Sequence, residues 1–441
     1  YGPSYIQNCF NIEAAKTNIK KVTFLYILAL KIKTKYFQTD NNSQKSIIYK
    51  NIEFEDSFKS INTFIKGIHN KNYKNKNNIS SDNEYEYDNW LRSHGGNWNT
   101  KYDSNDFINL NNIKKLKLVW KYSSIEESSI KKKWKQNIEL NPIYINNKII
   151  FVTADWKIVA LNAKNGNLIW EHQLIYMPSR RGIVVENNIK KNRENLFIPI
   201  GNKVYKFNAK NGKIIKKFGN NGAVKAFTLV APLIYKDTLV VVGKKEVFKF
   251  NKKTGKLINK INIHLKESNL VDVGGNVWGG VAMDKTKGIL YLNTGNPGPT
   301  SIYGVYRPGR NKRSCSIVAI NLSNLKIIWD FQETIHDLWD FDLAAPPILH
   351  NLKINDKIYE VIISLSKTGN TIILERNTGK PIFDINYKKA PKSDIDGEDT
   401  SPFQIDLKIP EKFSKIEFKI EANLNPPFKS LILTISMYLY L

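Results

Sequence analysis

ALNAKNGNLIW, residues 160–170, is the stretch on which the reading of the fold turns. An apolar alternation runs into Asn-Gly and out again to a tryptophan. The pattern returns as KFNAKNGKIIKKF (206–218), KFNKKTGKLINKI (249–261), AINLSNLKIIW (319–329) and ILERNTGKPIF (373–383). Each reads as strand, turn, strand: Asn-Gly or Thr-Gly supplies the positive φ of a tight hairpin, and alternating apolar residues flank it. Spacings of about 43 to 70 residues fit one four-stranded blade per repeat, the longer ones carrying insertions. The expectation is all-β, a β-propeller. A stack of sandwiches explains the alternation but not the fixed distance from turn to Trp170 or Trp329, which would dock between blades.

Composition agrees with a folded chain. The sequence has 441 residues, 41% of them hydrophobic and 12% aromatic, enough to bury a sizeable core. The formal charge of +27 raises nucleic acid as a partner. The excess, however, is almost all lysine dispersed among Asn and Ile, and Arg, on whose clusters phosphate and base readers lean, occurs at only eight positions. No nucleic-acid partner is expected. Cys9 and Cys315 are too few for a disulfide framework or a cysteine metal site. VTFLYILAL (Val22–Leu30), preceded by Lys20 and Lys21, resembles the start of a secretory signal, but Lys31 and Lys33 follow it without a cleavage pattern. A short core helix or strand is the other reading.

HDLWDFDLAAPP (336–347) places Asp337, Asp340 and Asp342 in an aromatic and apolar run. As a strand, it would put Trp339, Phe341 and Leu343 on one face and Asp340 and Asp342 on the other. Paired carboxylates repel unless a cation lies between them or one takes up a proton. A metal site, a general base and an edge strand with a wet acidic face all remain open from this segment alone.

From Asn89 to Lys412 the repeats, together with a series of motifs, resemble the quinoprotein dehydrogenases that use pyrroloquinoline quinone (PQQ), particularly the membrane-type glucose dehydrogenase and its alcohol dehydrogenase relatives. The motifs are HGGNWNTKYDSNDFINLNNIKKLKLVWKY (94–122), similar to the family's entry strand, SRRG (179–182), FGNNG (218–222), GGNVWGG (274–280), NTGNPGP (293–299), HDLWDFDLAAPP, LSKTGN (365–370) and APKSDIDGEDTSP (390–402). The resemblance implies oxidation of a sugar or alcohol by hydride transfer to PQQ beside calcium or another divalent or lanthanide cation. It also implies a periplasmic location and an onward electron acceptor, a membrane quinone or a cytochrome, whose identity stays open. Propellers of similar repeats that serve as protein-binding scaffolds are the alternative class, and they lack the site residues below.

Residue by residue, the resemblance makes Asp340 the general base that takes the substrate proton, and Lys367 the cation that supports negative charge gathering on the reduced quinone. Trp278 matches the indole floor beneath the planar cofactor, its flanking glycines allowing close approach. Arg181 matches the arginine that grips cofactor carboxylates, a role Arg180 could exchange with it. Asn296 matches the amide that ligates the metal, joined by Asp340 and Asp342. The family's metal-binding glutamate has no match in register; Glu246 is near but displaced. The adjacent cysteine pair of methanol-oxidising relatives is replaced by Ile175 and Tyr176, which favours the glucose type.

The family's propeller is eight-bladed, and the likeness ends near Lys412. The expected organisation is an extension over 1–85, a partial, open propeller of about five or six blades over 86–412, and an unassigned tail over 413–441. An incomplete ring of this kind would bind PQQ poorly and tend to aggregate.

Overall fold

The computed structural model describes residues 89–103, 107–109, 112–123, 140–179, 181–188, 192–265, 274–298 and 304–407. The extension 1–85, Arg180 and the tail 413–441 lie outside them. The chain divides into two compact units, one of residues 84–107 and 117–410, the other of 1–83, 108–116 and 411–441. In the second, the described residues contain a 3-10 turn, Ile113–Lys115; at its entry the Asn112 Oδ1 accepts the Asn109 N–H at 2.8 Å.

The first unit is built from strands. β1 (Ile143–Ile145), β2 (Lys148–Val152), β3 (Lys157–Asn162) and β4 (Leu168–Gln173) form a four-stranded antiparallel sheet in chain order. So do β5 (Val184–Asn188), β6 (Arg193–Ile200), β7 (Lys203–Asn208) and β8 (Ala223–Lys225). The third sheet is β9 (Leu233–Tyr235), β10 (Thr238–Val242), β11 (Glu246–Asn251) and β12 (Leu257–Asn262), and the fourth is β13 (Val281–Asp284), β14 (Ile289–Asn293), β15 (Ser316–Asn321) and β16 (Lys326–Gln332). The fifth has three strands, β17 (Ile348–Ile354), β18 (Lys357–Leu365) and β19 (Thr371–Glu375), with a lone Leu374–Pro381 bridge at the fourth position. A two-stranded ribbon follows, β20 (Asn386–Lys389) with β21 (Phe403–Asp406).

Strand alternation explains how these sheets stack. On β6, Leu196 and Ile198 enter a core shared with the first sheet, whereas Phe197 enters a core shared with the third. β10 divides the same way, Leu239 and Val241 backward, Val240 and Val242 forward. On β14, Leu290 and Leu292 face the third sheet and Tyr291 faces the fifth. Four cores therefore link five sheets in series, each central strand being apolar on both faces. Every fully buried Phe, Leu or Ile contributes roughly 1.5–3 kcal/mol to that stack.

The repeated turn is longer than the tight hairpin the sequence suggests. Between β3 and β4 five residues intervene: Asn162 Oδ1 accepts the Lys164 N–H at 2.9 Å, and the Gly166 N–H closes onto Asn162 O at 2.8 Å. Asn208, Asn251 and Asn321 cap their turns through the same side-chain bond, so in four of the five repeats the first asparagine shapes the turn, and Glu375 stands in its place in the fifth. The expected tryptophan docking is present. Trp170 donates to Ala209 O at 3.1 Å, three residues before Gly212 in the next sheet's turn; Trp329 donates likewise to Arg376 O at 3.2 Å, before Gly379. A Cβ on Gly212 would stand 2.5 Å from the Trp170 ring, so the position needs glycine for space as well as for its φ of 69°.

Residues 90–100 contain no strand, although the motif that opens there is similar to an entry strand. They touch the leading edge of all five sheets. Trp90 bridges Tyr144 of β1 and Arg92 bridges Val184 of β5. The Arg92 guanidinium, in a residue 2% exposed, donates to Ala231 O, Pro232 O and Val281 O, to Gly96 O, and to Asn99 Oδ1 at 2.8 Å. Asn99 donates onward to Val281 O and Pro347 O, both at 2.9 Å, and Leu349 N of β17 donates to Trp98 O. Successive short contacts with different sheets leave no run long enough to register as a strand.

Candidate functional site

Residues 333–347, between β16 and β17, are an irregular connection and not the strand their alternation suggests. Asp337 explains why. It is fully buried, and its two oxygens accept the backbone N–H groups of Trp339 and Phe341, both at 2.9 Å, curling the chain. Asp340 then takes a φ of 63°, a left-handed conformation incompatible with a strand. Trp339 and Phe341 still share a side, with stacked rings 5.7 Å apart. Of the three carboxylates, Asp337 serves the loop, while Asp340 and Asp342 meet elsewhere.

They meet at Lys367. Its Nζ donates to Asp342 Oδ2 at 2.5 Å, to Asp340 Oδ2 at 3.0 Å and to Asp340 O at 2.9 Å. The Asp342 side chain is 5% exposed and that of Asp340 is 41% exposed, so one carboxylate is enclosed and the other faces outward. Asp342 Oδ1 accepts the Asn296 backbone N–H at 2.7 Å and, at 3.4 Å, the indole N–H of Trp278. The Arg181 guanidinium lies over the Trp278 ring, 4.9 Å from its centroid. Asp340, Asp342, Lys367, Asn296, Trp278 and Arg181 are thus joined in one continuous set of contacts.

Local chain features place each of them. Trp278 precedes β13; a Cβ on the following Gly279 would collide with Ala344 O, so the glycine admits the 344–346 backbone, whereas the sequence suggests room for a cofactor. A Cβ on Gly295 would fall upon Asp342 Oδ1 and lie 2.8 Å from Trp278 Nε1. Arg181 is set by a bridge to Val230 and by Ser179, whose Oγ receives the Arg181 N–H at 3.3 Å and donates to Leu229 O at 2.9 Å.

Burial lowers the Lys367 pKa, but the Asp342 and Asp340 carboxylates outweigh it and hold the ammonium above its ordinary range. Burial pushes the Asp337 carboxyl up to about 6, against the pull of its two backbone bonds and of the Cys315 thiol. His94 is lowered to about 3 by burial and by Lys101, Arg92 and Arg181, and is therefore neutral beside Arg181. Cys315, also buried, has its thiol held well above the usual range by burial and the neighbouring carboxylates.

Glu246 brings no carboxylate here. The 244–246 turn abuts the Trp278 segment through Val277 N to Lys244 O at 2.8 Å, but Glu246 pairs with Lys260 across β11 and β12 at 3.0 Å. Among the described residues no cluster of three His, Cys, Asp or Glu side chains forms. The oxygen donors available to a cation are Asp340, Asp342 and the Asn296 amide, which makes no side-chain hydrogen bond to a described residue. Asp337 and Glu333 were not legible as site residues; the one available signal for Glu333 is that Ser366, Thr368 and Asn370 present three side-chain donors in one turn needing an acceptor.

The sheets and this site define a repeat-built β-propeller whose acid–lysine cluster sits beside an indole. The chain belongs to the PQQ family of glucose/ethanol/alcohol dehydrogenase β-propeller domains, whose model matches residues 90–424. It is 23% identical over 366 residues to the quinoprotein glucose dehydrogenase of Escherichia coli (strain K12), covering 72% of this chain and 45% of that protein. Against the quinohemoprotein alcohol dehydrogenase of Comamonas testosteroni it is 26% identical over 328 residues, covering 65% and 45%. The crystal structure named for the Comamonas testosteroni enzyme superposes with a TM-score of 0.54 at 21% identity, over 67% of this chain and 48% of that one. A europium-containing methanol dehydrogenase gives 0.54 at 20% identity, over 68% and 59%. Both show the same fold, and the chain spans about half the length of the curated relatives it matches.

Proposed function

We propose that this chain carries the cofactor- and substrate-facing site of a quinoprotein dehydrogenase that oxidises a sugar or alcohol hydroxyl, with Asp340 as general base. The observation that carries the reading is the Lys367 ammonium shared by Asp340 and Asp342 beside Trp278. PQQ, when bound, supplies the two-electron acceptor for the hydride lost from the carbinol carbon. The residues suit it: Trp278 offers a flat apolar face and Arg181, over that ring, offers a fork for carboxylates, while Gly295 lets the Asp342 carboxylate approach the indole.

Asp340 is exposed enough for a hydroxyl to reach it and receives that hydroxyl's proton. Lys367 stays charged, being held above its ordinary range, and stabilises developing negative charge across the site. Asp342 is enclosed and hydrogen-bonded on both oxygens, so it orients Lys367. Asp340, Asp342 and the Asn296 amide would hold a hard cation, calcium or a lanthanide, which prefers such oxygen donors. A periplasmic location and delivery of electrons to a membrane quinone or cytochrome belong to the same proposal.

The test is reconstitution, in a version that carries the family's whole propeller, with PQQ and calcium, followed by dye-linked turnover on a panel of aldoses and alcohols. There Asp340→Asn is expected to bind PQQ as the parent does and to turn over at least ~10²-fold more slowly. Equal turnover of the two proteins sinks the assignment of the base.

A further inference from the structure

Glu333 directly follows β16 and is 2% exposed. Its Oε1 accepts three side-chain donors from one turn: Ser366 Oγ at 3.2 Å, Thr368 Oγ1 at 2.7 Å and Asn370 Nδ2 at 2.7 Å. Its Oε2 accepts the Thr334 hydroxyl. Inside the turn, Ser366 and Thr368 hydroxyls lie 2.6 Å apart, and Ser366 N donates to Asn370 O at 3.1 Å. Lys367 is the residue these contacts enclose. None of the Glu333 hydrogen bonds goes to Asp340 or Asp342.

Hydrogen bonds to an ionised acceptor are about twice as strong as neutral ones, and three converging on one buried oxygen fix a turn in a single arrangement. Among the described residues, the Lys367 backbone is tied to the site by its N–H to Asp342 O at 3.3 Å, a long bond. We propose that Glu333 is a positioning residue, clamping the 366–370 turn so that the Lys367 ammonium is delivered between Asp340 and Asp342. The functional meaning rests on the dehydrogenase reading above; the clamp itself is tested without it.

The experiment is a brief acetic anhydride pulse on the full 441-residue chain at one fixed pH, with the labelling rate of each lysine read by peptide mass spectrometry. Lys206 and Lys249, whose ammonium groups bond to Lys252 O at 2.7 Å and Leu322 O at 2.6 Å on other sheets, serve as references. Glu333→Ala is expected to raise labelling of Lys367 ~5-fold or more with the references unchanged, the factor that losing one net hydrogen bond corresponds to. Glu333→Gln keeps the Oε1 acceptor, and the Thr334 hydroxyl can turn to accept from the new amide, so Lys367 labelling stays within ~2-fold of the parent. Unchanged Lys367 labelling in Glu333→Ala overturns the proposal. If Glu333→Ala loosens all three lysines, Thr368→Val decides: a rise confined to Lys367 supports the clamp, and no rise overturns it. Titrating PQQ into a version that carries the family's whole propeller separates the two readings: selective release of Lys367 together with no PQQ binding there keeps the clamp and removes the dehydrogenase role, while PQQ binding without selective release removes the clamp alone.

Discussion

Replacing Lys367 by Met tests the electrostatics of the site without any ligand. Met keeps most of the stem volume, so the cavity cost is small. Asp342 loses its 2.5 Å partner inside a site where its side chain is 5% exposed. Removing one partner of a buried pair costs roughly 3–5 kcal/mol. The Asn296 N–H at 2.7 Å still supports the Asp342 charge, which favours the lower end. Asp340, 41% exposed, is solvated by water and adds no more than about 0.5 kcal/mol. The expected loss at neutral pH is therefore about 3 kcal/mol, a large share of the roughly 5–15 kcal/mol that holds a domain together. Urea unfolding followed by tryptophan emission measures it. Adding Asp342→Asn to the Lys367→Met variant removes the stranded charge and is expected to return about 2 kcal/mol. A single variant within about 1 kcal/mol of the parent, or a double variant no more stable than the single, refutes the reasoning.

Trp278→Ala is expected to weaken PQQ binding by ~1–3 kcal/mol, on the scale of aromatic stacking against planar rings; a PQQ titration that gives the same affinity for both proteins removes the stacking role. Arg92→Met takes the donor from the Ala231, Pro232 and Gly96 carbonyls and from Asn99 Oδ1, while Val281 O, the fifth acceptor, keeps its bond from the Asn99 amide. At about 1 kcal/mol each, the loss is ~4 kcal/mol, read as a lowered urea midpoint with the far-ultraviolet spectrum of the folded protein retained. Asp337 gives a pH effect. Because its folded pKa is raised to about 6, the unfolded chain ionises first as pH rises from the ordinary carboxyl range, and stability contributed by this group is lost up to pH 6. Asp337→Asn loses one of the two N–H acceptors at every pH, but the stability difference from the parent is expected to move in the variant's favour by up to ~3 kcal/mol between pH 4 and pH 7; a pH-independent difference contradicts the shifted carboxyl.

The repeats were legible because their information is local: Asn162, Gly166 and Trp170 lie within one turn and its return strand. The convergence of Asp340, Lys367, Trp278 and Asn296 followed from the family resemblance and not from any pattern, since the contacting residues are separated by as many as 64 positions. Alternation misled at 336–347, where Asp337 turns two backbone N–H groups inward and overrides the period of two. The five-residue loops escaped notice because the Asx bond of Asn162 is invisible in apolar periodicity. Glu333 sits beside β16 with no local mark of its role, its partners lying 33 to 37 residues away.

The segment around Arg92 orders the chain in time as well as in space. It precedes all the described sheets in the sequence, so during synthesis the surface on which they assemble is complete before β1 emerges. Its partners lie from 48 residues away, at Asn141, to 248 away, at Pro347. Because closure entropy grows only with the logarithm of length, the farthest attachment costs merely ~1.5 kcal/mol more than the nearest. Each sheet can therefore be captured as it leaves the ribosome, in the order in which it is translated. A circular permutant that moved residues 89–103 behind residue 407 would preserve every contact and abolish that order, so its yield on refolding from urea would match the parent's while its yield during translation would fall.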